Sequence, residues 1–156
     1  MKRSLFAAFA AASLGFAVPA GATTFPSLTT IYVGSGAFDD GGSTDLGTAT
    51  VITCSNVSGL TANVRILILN SGGAIEGQQV FPGVLNGTSL IAATHATFPF
   101  FETNLSTGAF SGGVINIEST ESAVFCNAII MNASGPVQNA VPLRLVRVNA
   151  HPGTEE

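Results

Sequence analysis

The sequence has no tryptophan, one tyrosine, two cysteines and two histidines among 156 residues, and charged residues make up only 9% of it. Each scarcity removes a class of function. Sugar-binding sandwiches stack rings mainly on Trp and Tyr, whose polar edges stay hydrated, and here the lone Tyr32 falls in a predicted strand. Two cysteines without a CxxC spacing, and with no histidine beside them, argue against a zinc framework or a redox pair. Lysine occurs once, at position 2, and the arginines are Arg3, Arg65, Arg144 and Arg147. So few cations argue against nucleic acid as a partner, because phosphate contacts dominate that affinity. They argue equally against electrostatic docking on anionic lipid.

What is present begins at the N-terminus. Met1-Lys2-Arg3-Ser4 is a cationic start, Leu5 to Val18 is apolar, Pro19 breaks the run, and Ala20-Gly21-Ala22 offers small residues for cleavage. This order predicts a cleavable signal peptide over residues 1–22. The apolar run is shorter than the roughly 20 residues a membrane span requires. No cysteine follows it to carry a lipid, and no second long apolar stretch exists, so the mature chain is expected to have no membrane span. Residues 23–150 are expected to form one domain, and residues 151–156 a flexible C-terminal tail. Removing the signal leaves three arginines against nine acidic residues, a formal charge of −6. The expected location is secreted or periplasmic.

Short β-branched runs alternate with Gly, Asn, Ser and Pro clusters, and no helical periodicity survives after the signal. The pattern predicts strands over Leu28–Val33, Thr48–Ser55, Ala62–Asn70, Ala74–Phe81, Ser89–His95, Val114–Ser119, Ala123–Met131 and Val141–Val148. Between them lie an acidic loop, Phe38–Gly47, and an aromatic, Gly-rich segment, Thr97–Gly113, read as a long loop. An oxidising compartment favours a Cys54–Cys126 bridge, the alternative being two buried thiols. Such a bridge closes a loop of about seventy residues and is credited with roughly 4 kcal/mol.

The cysteines fall in the second and the penultimate predicted strands. That placement resembles the B–F disulfide of immunoglobulin-like sandwiches, although the chain has no core Trp and has Val124 where a tyrosine corner would stand. The fold class this implies is an all-β, immunoglobulin-like antiparallel β-sandwich of about 7–9 strands with one disulfide, Cys54–Cys126. The chain is also similar to small, uncharacterised bacterial exported proteins, through Ile31-Tyr32-Val33, Gly47-Thr48-Ala49-Thr50, Cys54-Ser55-Asn56 and the terminal Pro152-Gly153-Thr154-Glu155-Glu156. The likeness spans most of the mature chain and implies compartment and fold, with no activity attached.

Two strands are apolar on both faces. Phe125, Ile129 and Met131 oppose Val124, Cys126, Ala128 and Ile130; Leu67 and Leu69, with Arg65, oppose Val64, Ile66 and Ile68. A sandwich sheet buries one face, so the second needs a cover. Either the segment with Phe98, Phe100, Phe101 and Phe110 lies over it, or it is an interface. The candidate interface residues are Leu67, Leu69, Phe125, Ile129, Met131, Phe98, Phe100 and Phe101, with a protein partner or a second copy as occupant. Asp39, Asp40 and Asp45, with Ser43, Thr44 and loop carbonyls, are candidate calcium ligands, but their spacing matches no EF-hand and a solvated acidic turn is the expectation. No cofactor is expected.

For catalysis, His95 and His151 are the available imidazoles, there is no GxSxG, and paired carboxylates would have to come from Glu76, Glu102, Glu118 and Glu121. Four Asn-x-Ser/Thr matches, at Asn56, Asn86, Asn104 and Asn132, are what a Ser/Thr/Asn-rich chain gives by chance. The resulting expectation is an exported non-catalytic β-sandwich acting in binding, adhesion or surface or periplasmic assembly. The alternative is a small periplasmic or secreted hydrolase-type enzyme, with His95 the first residue to test.

Overall fold

β-Branched runs, punctuated by turns that glycine and asparagine favour, place ten strands in two stacked sheets. The computed structural model describes residues 27–135 and 139–148; the predicted signal peptide, the tail 151–156 and the Pro152–Glu156 motif lie outside them. The strands are β1 (Thr29–Asp39), β2 (Thr48–Asn56), β3 (Ala62–Leu69), β4 (Ile75–Val84), β5 (Ser89–Ala93), β6 (Thr103–Asn104), β7 (Phe110–Ser119), β8 (Val124–Asn132), β9 (Val141–Leu143) and β10 (Leu145–Arg147). One sheet has the order β10-β1-β7-β3-β4 and the other β6-β5-β2-β8-β9. All pairings are antiparallel except β5 with β6. No helix among the described residues is long and apolar enough to cross a membrane.

The chain is therefore the all-β sandwich its sequence implies, with ten strands among the described residues rather than about 7–9. The extra strands have local causes. The predicted strand Val141–Val148 breaks at Arg144 into β9 and β10, which join different sheets, and the predicted long loop Thr97–Gly113 yields the two-residue β6 and the first residues of β7. Likewise β1 continues through Phe38 to Asp39, residues expected in the acidic loop, and β4 runs on through Pro82-Gly83.

Inward positions at period two supply the core: Ile52 and Cys54 on β2, Val64, Ile66 and Ile68 on β3, Ile115 and Ile117 on β7, Val124 and Ala128 on β8. A register shift between Thr30 and Tyr32 on β1 puts Ile31 and Tyr32 both into this core. Pairing of β2 with β8 is unbroken, from Thr48 opposite Asn132 to Asn56 opposite Val124.

Cys54 and Cys126 face each other in that ladder, form the disulfide, and have Cα atoms 4.1 Å apart. In immunoglobulin domains the corresponding bridge crosses between sheets. Here it joins neighbouring strands of one sheet, because β2 and β8 pair directly. Replacing both cysteines by alanine is expected to leave the sandwich folded and to lower its unfolding free energy by roughly 4 kcal/mol. Urea denaturation checks this, with a steeper denaturant dependence expected once the 72-residue loop is opened in the unfolded chain.

Candidate functional site

Three connections meet at one end of the sandwich: residues 40–47 between β1 and β2, 94–102 between β5 and β6, and the turn that follows β8. Backbone bonds knit them together: Asp45 N–H donates to the Ala96 carbonyl, Phe98 N–H to that of Ala133, and Ala133 N–H to that of Gly47. Beneath them, Thr50 Oγ1 donates to the Phe38 carbonyl and accepts from the Phe38 N–H, and Thr94 Oγ1 accepts from the Thr50 N–H.

The centre of this end is an imidazole–carboxylate pair. His95 Nδ1 lies 2.7 Å from Asp39 Oδ2, and its Nε2 lies 2.9 Å from the Leu46 carbonyl oxygen. Both residues are buried, Asp39 at 1% exposure. A carbonyl oxygen only accepts, so Nε2 carries a hydrogen, and the ring is held through both of its nitrogens. Asp39 Oδ1 accepts the Gly41 N–H at 2.7 Å, and Asp40 accepts those of Gly42 and Thr48 at 3.0 and 2.9 Å. The φ of +82° at Gly47 is in the left-handed region that favours glycine, and a β-carbon there would push the Asp40 carboxylate out of its place.

The acidic loop supplies a cluster different from the expected one. Ligand atoms of Asp39, Asp40 and His95 lie within 4.8 Å of one another, and Asp45 is not in that group. Calcium prefers an all-oxygen shell of six to eight ligands, whereas this set includes an imidazole whose two nitrogens already face acceptors. The arrangement fits a hydrogen-bonded clasp. In a hydrolytic triad the far nitrogen of the histidine faces a nucleophile; here it faces the Leu46 carbonyl. A groove of about 410 Å³ around Val33, Val114 and Val146, and another of about 260 Å³ around Ile31, Glu121 and Ser122, contain neither His95 nor Asp39.

The candidate interface residues divide into covered and exposed sets. Val51, Ala93 and Met131 form a second buried cluster on the outer face of the β2 sheet, with Ile91, Phe100, Ile129 and Ala140 packed against it. The aromatic segment thus covers part of the second apolar face through Phe100. Leu67 is buried and Leu69 half-buried on the outer face of the other sheet. Phe125 is half-exposed and carries the Arg147 guanidinium 5.0 Å from its ring centre, a contact Tyr32 shares at 5.6 Å. Phe98 and Phe101 instead stand in solvent, at 74% and full exposure, and Leu46 on the adjoining loop is exposed too. Their loop is braced at its base by Thr97 N–H donating to Glu102 Oε1 at 2.5 Å.

The sequence did not disclose the Asp39–His95 pair, whose members lie 56 residues apart, nor the exposure of Leu46. The available signal was the Asp-Asp-Gly-Gly run with a lone histidine elsewhere, which sets no distance between them.

No family model matches the chain, nor does any curated protein. Among solved structures the chain is similar to FlgD from Xanthomonas campestris, whose crystal structure is described as giving insights into the hook capping essential for flagellar assembly. The identity is 16%, the match covers 76% of this chain and 67% of that one, and the TM-score of 0.30 is too low to carry an argument.

Replacing His95 by alanine leaves the Asp39 carboxylate buried and unpaired, with an expected loss of about 3 kcal/mol in urea denaturation. Removing both partners is expected to be less destabilising than the sum of the single losses. Asp40 is held below the ordinary aspartate value of 3.8, first by the Thr48 N–H, then by the Gly42 N–H and the nearby His95 charge, against an opposing desolvation. A depressed folded value means that ionised Asp40 favours the fold at higher pH and that this contribution fades as pH falls through the folded value. Asp40→Asn is therefore expected to melt below wild type at pH 6, with the gap closing as the pH drops below 3.8.

Proposed function

We infer that the chain is an exported, non-catalytic β-sandwich that binds another protein through the loop end carrying Phe98 and Phe101. The observation that carries this reading is their exposure, at 74% and 106%, on a loop held by Phe100 in the outer cluster and by the Thr97–Glu102 contact. A fully solvated phenylalanine gains nothing for the monomer, whereas aromatic anchors on a braced backbone are what protein interfaces concentrate. A mobile apolar loop would lose ordering entropy on binding; here part of that loss is met in folding.

Export is supported by the predicted signal peptide and by the Cys54–Cys126 bond, which persists in oxidising compartments. Binding rather than hydrolysis is supported by the occupation of both His95 ring nitrogens. The binding surface is narrower than the eight residues expected, since Met131 and Leu67 are buried and Phe100 is engaged within the fold.

The test places a photo-crosslinking amino acid at position 101 in the cell of origin, with position 57 as a control, since Val57 is exposed but lies in another loop. A discrete protein adduct from position 101, absent from position 57 and lost when Phe98 is changed to serine, is expected. Equal adducts from both positions, or none from 101, would remove the reading. Phe98→Ser with Phe101→Ser is expected to shift stability by no more than about 0.5 kcal/mol, as exposed sites do.

A further inference from the structure

Of the four sheet edges among the described residues, three are short: β6 has two residues, and β9 and β10 have three each. The fourth, β4, has ten. Short edges are one of the ordinary protections against strand addition; a long, uncharged edge invites it. Between Glu76 and Pro82, β4 reads Gly77-Gln78-Gln79-Val80-Phe81, without a charge, and Gln78, Gln79 and Val80 are all exposed.

The backbone groups available on that edge follow from the ladder. Alternate residues of an antiparallel strand address opposite neighbours. Asn63 of β3 turns its carbonyl to the Thr120 N–H beyond β7, so Val64, Ile66 and Ile68 address β4, where they face Phe81, Gln79 and Gly77. Gln78 and Val80 therefore direct their N–H and C=O groups to the open side. The Val80 carbonyl is met there by Gln79 Nε2 of its own strand at 3.0 Å, a bond that a neighbouring strand would replace.

We propose that two copies of the chain pair antiparallel through β4, about a two-fold axis at Gln79, to make one continuous ten-stranded sheet. The axis is set by where regular pairing ends: a register shift lies between Ile68 and Leu69 opposite Glu76, and Pro82 has no N–H to donate. Gln79 is the midpoint. About that axis Gln78 faces Val80 of the other copy, Glu76 faces Pro82, and Gln79 faces itself, so the acidic chain opposes no like charges along the seam. A self-facing amide pair can hydrogen-bond across it.

The self-opposed position provides the test. Sedimentation of the oxidised full chain is expected to show a concentration-dependent dimer. Q79K and Q79E, each placing like charges directly opposite, are expected to weaken dimerisation about fivefold, and an equimolar mixture of the two to restore it. Unchanged melting of each variant separates lost pairing from lost folding. A monomer at every concentration, single variants that dimerise like wild type, or a mixture no tighter than its components would each overturn the proposal. Phe98→Ser with Phe101→Ser is expected to leave the dimer intact; its loss in that variant would assign association to the loop end and overturn pairing through β4.

Discussion

Cys54 and Cys126 fix β2 against β8 in one register, and both faces of that sheet inherit it. A slip of one residue would exchange its inward and outward side chains. With Cys54 opposite Cys126, Ile52 and Ala128 point into the core, while Val51 and Ile129 point out. The outward set is itself apolar, and that is why Phe100 has somewhere to sit. Its seat in turn holds the loop that carries Phe98 and Phe101 into solvent. A covalent bond on one strand pair thus controls a surface some distance along the chain.

The other brace on that loop is electrostatic. The Asp39–His95 pair ties the end of β1 to the segment after β5, and the Leu46 carbonyl brings in the β1–β2 connection. Burying such a pair is weak evidence of net stabilisation, because desolvation opposes the attraction. Its structural effect is specificity: one arrangement of the β1 end and two loops satisfies both ring nitrogens and both Asp39 oxygens.

Much of the fold was legible because strands announce themselves by local pattern. Val64, Ile66 and Ile68 recur at the period of two that a strand imposes, although Leu67 and Leu69 make the opposite face apolar as well. The bridge was legible from the two cysteines taken together with the predicted export signal. Which sheet each cysteine belongs to was not, since strand order depends on contacts between residues far apart in sequence. The site was less legible still. Asp39, Asp40 and Asp45 read as one acidic loop, yet Asp39 closes a strand and turns inward to a histidine, while Asp40 caps backbone N–H groups. Phe98, Phe100 and Phe101 are alike in composition, and their separate fates follow from the direction each ring takes off a turning backbone, which residue type does not encode.

Placing the disulfide between adjacent strands also decides how the molecule bears load. Tension applied to the two ends of the chain can peel away β1, β9 and β10, but from β2 it passes through the sulfur–sulfur bond directly into β8. The residues between Cys54 and Cys126, including β3, β4, β5, β7 and the whole aromatic loop, lie outside that force path. Stretching can extend the chain only by what lies beyond the bridge, and the enclosed segment is spared direct pulling for as long as the bond is intact.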